Sequence, residues 1–226
     1  MIGIIGAMDE EILELKKIID IYEERSILGV TFYIGDLNNK QVVLVKSKIG
    51  KVASSFVTTL LVNNFKLDYI INIGTCGACH KKLKYLDIVV GSKIMYHDAD
   101  VTAFGYSYGQ MAQSPKFFEC NETLINKAKK FNNIFIGDMV CGDEFVCDAN
   151  KMQEKLNKYF NEYDVLTCDM ESASIAHVCY LANVPFVIIR TISDVLDFNG
   201  DKRDFSELAL ESCAILADFI KEYVYE

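Results

Sequence analysis

The chain has 226 residues, half of them hydrophobic, which is enough to bury the core of one domain spanning 1–226. A formal charge of −9, spread along the chain, excludes a nucleic-acid backbone as partner, and no apolar run approaches the ~20 residues that cross a bilayer. Eight cysteines, scattered through mostly apolar segments, read as a reducing, cytoplasmic setting and not as a disulfide framework.

Short apolar runs alternate with helix-period segments, the pattern of an α/β domain with a mainly parallel sheet. Residues 2–5 predict a buried strand; no basic residues precede the run, so it does not read as a signal peptide. Met8, Ile12, Leu15 and Ile19 then recur at helical spacing. Residues 32–36 and 42–46 predict a strand pair around an Asn38-Asn39 turn. A helix over about 50–63 and a strand over 69–73 follow, then an extended run over 87–96 and a helix over 116–131. A strand over 134–139 leads to a polar helix over 149–159. Residues 169–181 are apolar nearly all round and predict a buried helix, followed by a strand over 185–190. Leu208, Ser212, Ile215 and Phe219 mark a closing amphipathic helix.

Three strand ends carry polar or glycine turns: Gly6-Ala7-Met8, Gly74-Thr75-Cys76-Gly77 and Thr191-Ile192-Ser193-Asp194. Open α/β sheets bind ligands beyond the carboxyl ends of their strands, so these ends are candidates for one site. Acids favour the first helical turn in any case, and Asp9-Glu10-Glu11 has that ordinary explanation. At ~100° per residue, however, Glu11 falls about 60° from Met8, at the edge of the Ile12/Leu15/Ile19 stripe. It is the acid turned toward the core, where a carboxylate is costly. Glu171 opens a helix among Met170, Ala173, Ile175 and Val178, and Asp194 follows a buried strand. Either could merely cap a backbone amide or a turn; the signal is the set of three.

Cys76-x-x-Cys79 with His80 has the look of a metal or redox motif, but no second pair stands at a suitable distance. The three histidines lack ligand spacing, and His97 and His177 are expected to support loop and helix packing. No metal or other cofactor is expected.

With these residues in place, the chain resembles the 5′-methylthioadenosine/S-adenosylhomocysteine nucleosidases of the purine nucleoside phosphorylase superfamily. The blocks that carry the resemblance run nearly end to end. They are Gly3-Ile4-Ile5-Gly6-Ala7-Met8-Asp9-Glu10-Glu11, Ile49-Gly50-Lys51-Val52-Ala53, Tyr69-Ile70-Ile71-Asn72-Ile73-Gly74, the stretch 96–106, Gly142-Asp143-Glu144-Phe145, Asp169-Met170-Glu171 and Arg190-Thr191-Ile192-Ser193-Asp194. The resemblance implies a three-layer α/β/α domain around a central mixed, mainly parallel sheet. It also implies an N-glycosyl hydrolase for small adenine nucleosides. Glu11 would activate water and Asp194 protonate adenine, while Glu171, helped by Met170, would bind the ribose hydroxyls. Phe145 would stack on adenine and the Val146 backbone read its edge. Ser193 would orient Asp194, with Thr75 near the ribose and Gly77 beside the substrate. Met8, Ile49 and Phe205 would line a thioalkyl pocket, which Val101 and Phe104 would enter from the other subunit of a homodimer.

The chain departs from the family pattern at Lys48, at Thr75-Cys76-Gly77-Ala78, at Ala112 and at Asp169, leaving the acid trio intact. Two other functions fit less of the sequence. A phosphate-dependent purine nucleoside phosphorylase would need a basic cradle, for which Lys48 is the only suggestion, and Glu11 would repel phosphate. A non-catalytic nucleoside-binding protein would not need three acids.

Overall fold

A computed structural model describes residues 1–195 and 210–225, together with the backbone of 205–209. Strand β1 (Ile2–Gly6) lies between and parallel to β4 (Lys40–Lys46) and β5 (Tyr69–Ala78). Every residue of β1 is buried, which explains an apolar run without polar alternation. From β4 the sheet continues antiparallel through β3 (Val30–Leu37) to β2 (Asp20–Ile27). Asn38 and Asn39 join β3 to β4 with φ of 53° and 62°, the left-handed pair that a two-residue hairpin turn uses.

On its other flank β5 forks. Its first residues pair with β1, while its tip, Gly77 and Ala78, pairs with β9 (Val165–Asp169). Strand β10 (Phe186–Val195) follows β5 in parallel from Ile70 to Ala78. The ladder passes from β9 to β8 (Ile134–Cys141), then to β6 (Ile88–Tyr96), and from β6 back to β10. Five strands thereby close on themselves, with the short β7 (Phe118–Glu119) attached to β6.

Helices cover both faces, because neighbouring strand residues point to opposite sides. Ile5 and Ile188 join Val57 and Leu61 of α2 (Lys51–Asn64) and Ala173, Ile175 and Cys179 of α5 (Ser172–Ala182). Ile4 and Ile189 join the apolar stripes of α1 (Asp9–Lys16), α3 (Glu122–Ala128) and α6 (Phe205–Tyr225). Helix α4 (Ala149–Tyr159) seats Met152 and Leu156 against Met95, Val140 and Val165. The result is the expected three-layer α/β/α domain, parallel at its centre and mixed overall. Among the described residues no helix is long and apolar enough to cross a membrane.

Four readings of the sequence need correction. Residues 116–131 are not one helix: β7 occupies 118–119, and α3 starts only after Asn121, whose side chain accepts the Leu124 amide at 3.2 Å. Strand β2 was not expected at all. The segment 169–181 holds the end of β9 before α5 begins, and Tyr180 and Leu181 at the far end of that helix are exposed. Finally, residues 74–78 and 191–195 lie within β5 and β10 and are not turns beyond them.

Candidate active site

The fork in β5 is where the site forms. As β1 ends at Gly6 and β9 joins higher up, the gap exposes the amides of Ala7, Met8 and Thr75. Glu11, in the first turn of α1, fills it. Its Oε2 accepts from the Ala7 and Met8 amides at 2.6 and 3.1 Å, and its Oε1 accepts from Thr75 at 3.1 Å. The residue is only 3% exposed. Burial pushes its pKa above the ordinary carboxylate value, and the Arg190 charge and the three amides only partly offset this. Glycine is needed opposite it: a Cβ on Gly74 would stand 2.9 Å from Oε1.

Glu171 stands between β9 and α5, and its Oε1 accepts from the Gly50 amide at the start of α2, at 2.8 Å. Burial, with the neighbouring Asp169 charge, pushes its pKa up to about 7 despite the opposing Gly50 amide and Arg190. Behind both glutamates lies a buried charge cluster that sequence reading missed. Arg190, 1% exposed, donates through Nε to Asp169 Oδ2 at 3.2 Å and through Nη2 to Asn72 Oδ1 at 2.7 Å. Asp169 Oδ1 in turn accepts the amides of Glu171 and Ser172, at 3.0 and 2.8 Å. The signal was available: an arginine ending an apolar strand cannot be buried without a carboxylate.

Asp194 reaches the site by a different device. Strand β10 carries a bulge at Ser193, so that Ile192 pairs with Cys76 and Asp194 with Gly77. The extra residue breaks the alternation and lets Ser193 and Asp194 both face the cavity. Asp194 is half-buried, and that burial raises its pKa.

These groups line one cavity of about 220 Å³. Glu11, Glu171 and Asp194 share it with Met8, Ile49, Thr75, Gly77, Phe145, Val146, Met170 and Ser193. Ala7, Cys76, Glu144, Cys168 and Asp169 also line it and were not anticipated. Val101 is half-buried and Phe104 is 81% exposed, and neither lines this chain's cavity. The Phe205 side chain lies outside the described residues. Lys48 is exposed and borders a neighbouring cleft between α1 and α2. The Cys76 and Cys79 thiols are buried and protonated, and among the described residues no cluster of three or more His, Cys, Asp or Glu could hold a metal. His177 is held outside the cavity by Tyr96 and Ser114, each at 3.1 Å, and His97 is wholly buried beside Lys155.

A family model described as the phosphorylase superfamily matches residues 1–224. A 5′-methylthioadenosine/S-adenosylhomocysteine nucleosidase of Staphylococcus aureus is 41% identical over 220 residues, covering 95% of this chain and 94% of the relative. The chain belongs to this nucleosidase family within the phosphorylase superfamily. Its fold matches the Streptococcus pneumoniae nucleosidase, solved with a transition-state inhibitor, at a TM-score of 0.90 and 36% identity. That match covers 99% of this chain and 98% of the other. The fold also matches a Helicobacter pylori futalosine hydrolase at a TM-score of 0.89 and 33% identity, over 99% and 96% of the two chains. A fold this similar thus also serves a hydrolase named for a different substrate.

Proposed function

We propose that the protein hydrolyses the N-glycosidic bond of 5′-methylthioadenosine and S-adenosylhomocysteine, and of 5′-deoxyadenosine, releasing adenine and the 5′-substituted ribose. One observation carries the reading: three carboxylates from α1, the start of α5 and β10 line one largely apolar cavity. Adenine leaves poorly as an anion, so its ring must be protonated as the bond breaks. Asp194 supplies that proton; a carboxyl with a raised pKa suits a general acid. The sugar then gains oxocarbenium character. Glu11 stabilises that charge and takes a proton from water, its raised pKa making it the better base. Glu171, helped by Met170, holds the ribose hydroxyls.

Around this trio, Phe145 stacks on adenine and the Val146 backbone reads its edge. Ser193 orients Asp194, Thr75 sits near the ribose and Gly77 beside the substrate. Met8, Ile49 and Phe205 receive the thioalkyl group. The whole acts as one domain over 1–226. Water is favoured over phosphate as nucleophile because the Glu11 carboxylate in the cavity lining would repel phosphate.

The protein works as a homodimer in the cytoplasm. Ile49, Val52 and Phe56 form an exposed apolar stripe along α2 that begins at the cavity itself. A partner seated there would bring its Val101 and Phe104 to the thioalkyl pocket. All eight cysteines are unpaired, as a reducing compartment requires. The test is adenine release from the three nucleosides in phosphate-free buffer. Turnover without phosphate is expected, and turnover that requires phosphate would replace this reading with a phosphorylase.

A further inference from the structure

Helix α2 starts at Gly50, whose φ of 94° is open to glycine and strained for other residues. Two consecutive amides at this start hold two carboxylates from distant parts of the chain. The Gly50 amide donates to Glu171, and the Lys51 amide donates to Asp143 Oδ1 at 2.8 Å. Asp143 is then locked from its other side. Its own amide donates to Asp98 Oδ2 at 2.9 Å, and the Lys51 ammonium donates to the same oxygen at 2.7 Å while standing 3.7 Å from Asp143 Oδ2. A closed ring of Lys51, Asp143 and Asp98 results, partly shielded from water. The fit is tight, since a Cβ on Gly50 would stand 3.3 Å from Asp143 Oδ1.

The residues immediately after Asp143 are Glu144, Phe145 and Val146, which line the cavity from a segment without regular secondary structure. Irregular backbone needs anchors if it is to hold a flat base in one place. We infer that Asp143 is a positioning residue: through the Lys51 amide it ties the base-facing segment to the same helix start that holds the ribose-facing Glu171. Base and sugar are thus located from a single reference point. This rests on the proposed contacts of Phe145 and Val146 with adenine.

The test is titration of adenine into the full-length protein, together with KM and kcat for 5′-methylthioadenosine. Asp143→Ala is expected to raise both the adenine Kd and KM about tenfold, the weight of one charge-assisted hydrogen bond, with kcat changing less than threefold. Asp143→Asn keeps an oxygen for the Lys51 amide and should recover most of that loss. In a Phe145→Ala background, Asp143→Ala should cost less than twofold, because the ring it positions is gone. A second variant, Lys51→Met, keeps the amide, removes the ammonium and should weaken adenine about threefold, so the ring stays testable if Asp143→Ala does not fold. Unchanged adenine affinity in these variants, no recovery in Asp143→Asn, or full additivity with Phe145→Ala overturns the inference. A wild-type protein that neither binds nor releases adenine overturns the proposed function itself, and this inference with it.

Discussion

The proposed reaction gives the cavity a sugar end and a base end, and the two are built differently. At the sugar end, Glu11 and Glu171 are buried, the first held by three backbone amides and the second by that of Gly50, with the Arg190–Asp169 pair packed behind them. At the base end, Asp194 is half-buried on a bulged strand, and Phe145, on an irregular segment, is 61% exposed. In the proposed reaction the sugar end would meet a developing positive charge with its carboxylates already fixed in place.

The largest expected effects come from one change at each end. Glu11→Gln and Asp194→Asn should each lower kcat by about two to four orders of magnitude, the range for general acid–base groups. Adenine release under saturating substrate measures this. Either variant turning over at the wild-type rate would remove that residue from the scheme.

Next comes the charge behind the sugar end. Asp169→Asn retains an oxygen for the amides of Glu171 and Ser172 but leaves Arg190 without its buried counter-ion. A loss of about 3–5 kcal/mol in folding stability is expected, read from the urea midpoint. A midpoint within error of wild type would show that the pair does not hold this end together.

A smaller effect sharpens the contrast, because Glu171 has a cost that Asp194 largely escapes by exposure. Its folded pKa of about 7 lies above the ordinary 4.5, so the folded state binds its proton more tightly than the unfolded chain does. Stability therefore falls as pH rises through that window and is restored below it. Glu171→Gln should stabilise the fold by about 1–3 kcal/mol above pH 7, with no gain below pH 4.5. The same variant should raise KM. A gain that does not vary with pH would show that the carboxylate ionises without penalty.

What could be read from the sequence follows the same division. The position of Glu11 was legible because helical geometry alone turned it inward from Asp9 and Glu10. The Asn38-Asn39 turn and the polar helix at 149–159 were legible because their patterns are local. Strand β2 was not: Glu23, Glu24 and Arg25 face water on a sheet edge, where no buried face imposes alternation. Residues 116–131 misled because Phe117 and Phe118 sit at helical distance from later apolar residues, while Asn121 and Glu122 already marked the true start of α3. The Ser193 bulge and the Arg190–Asp169 pair depend on which strands become neighbours. Spacing along the chain does not reveal that.

The closed circuit of five strands has a bearing on how firmly the acid is held. Just before Asp194, β10 is bonded to β5 on one flank and β6 on the other. Peeling from a free flank, the cheapest breathing motion a strand has, is denied to the backbone that delivers the acid. In the proposed reaction Asp194 therefore rides on a strand that keeps its register through each turnover.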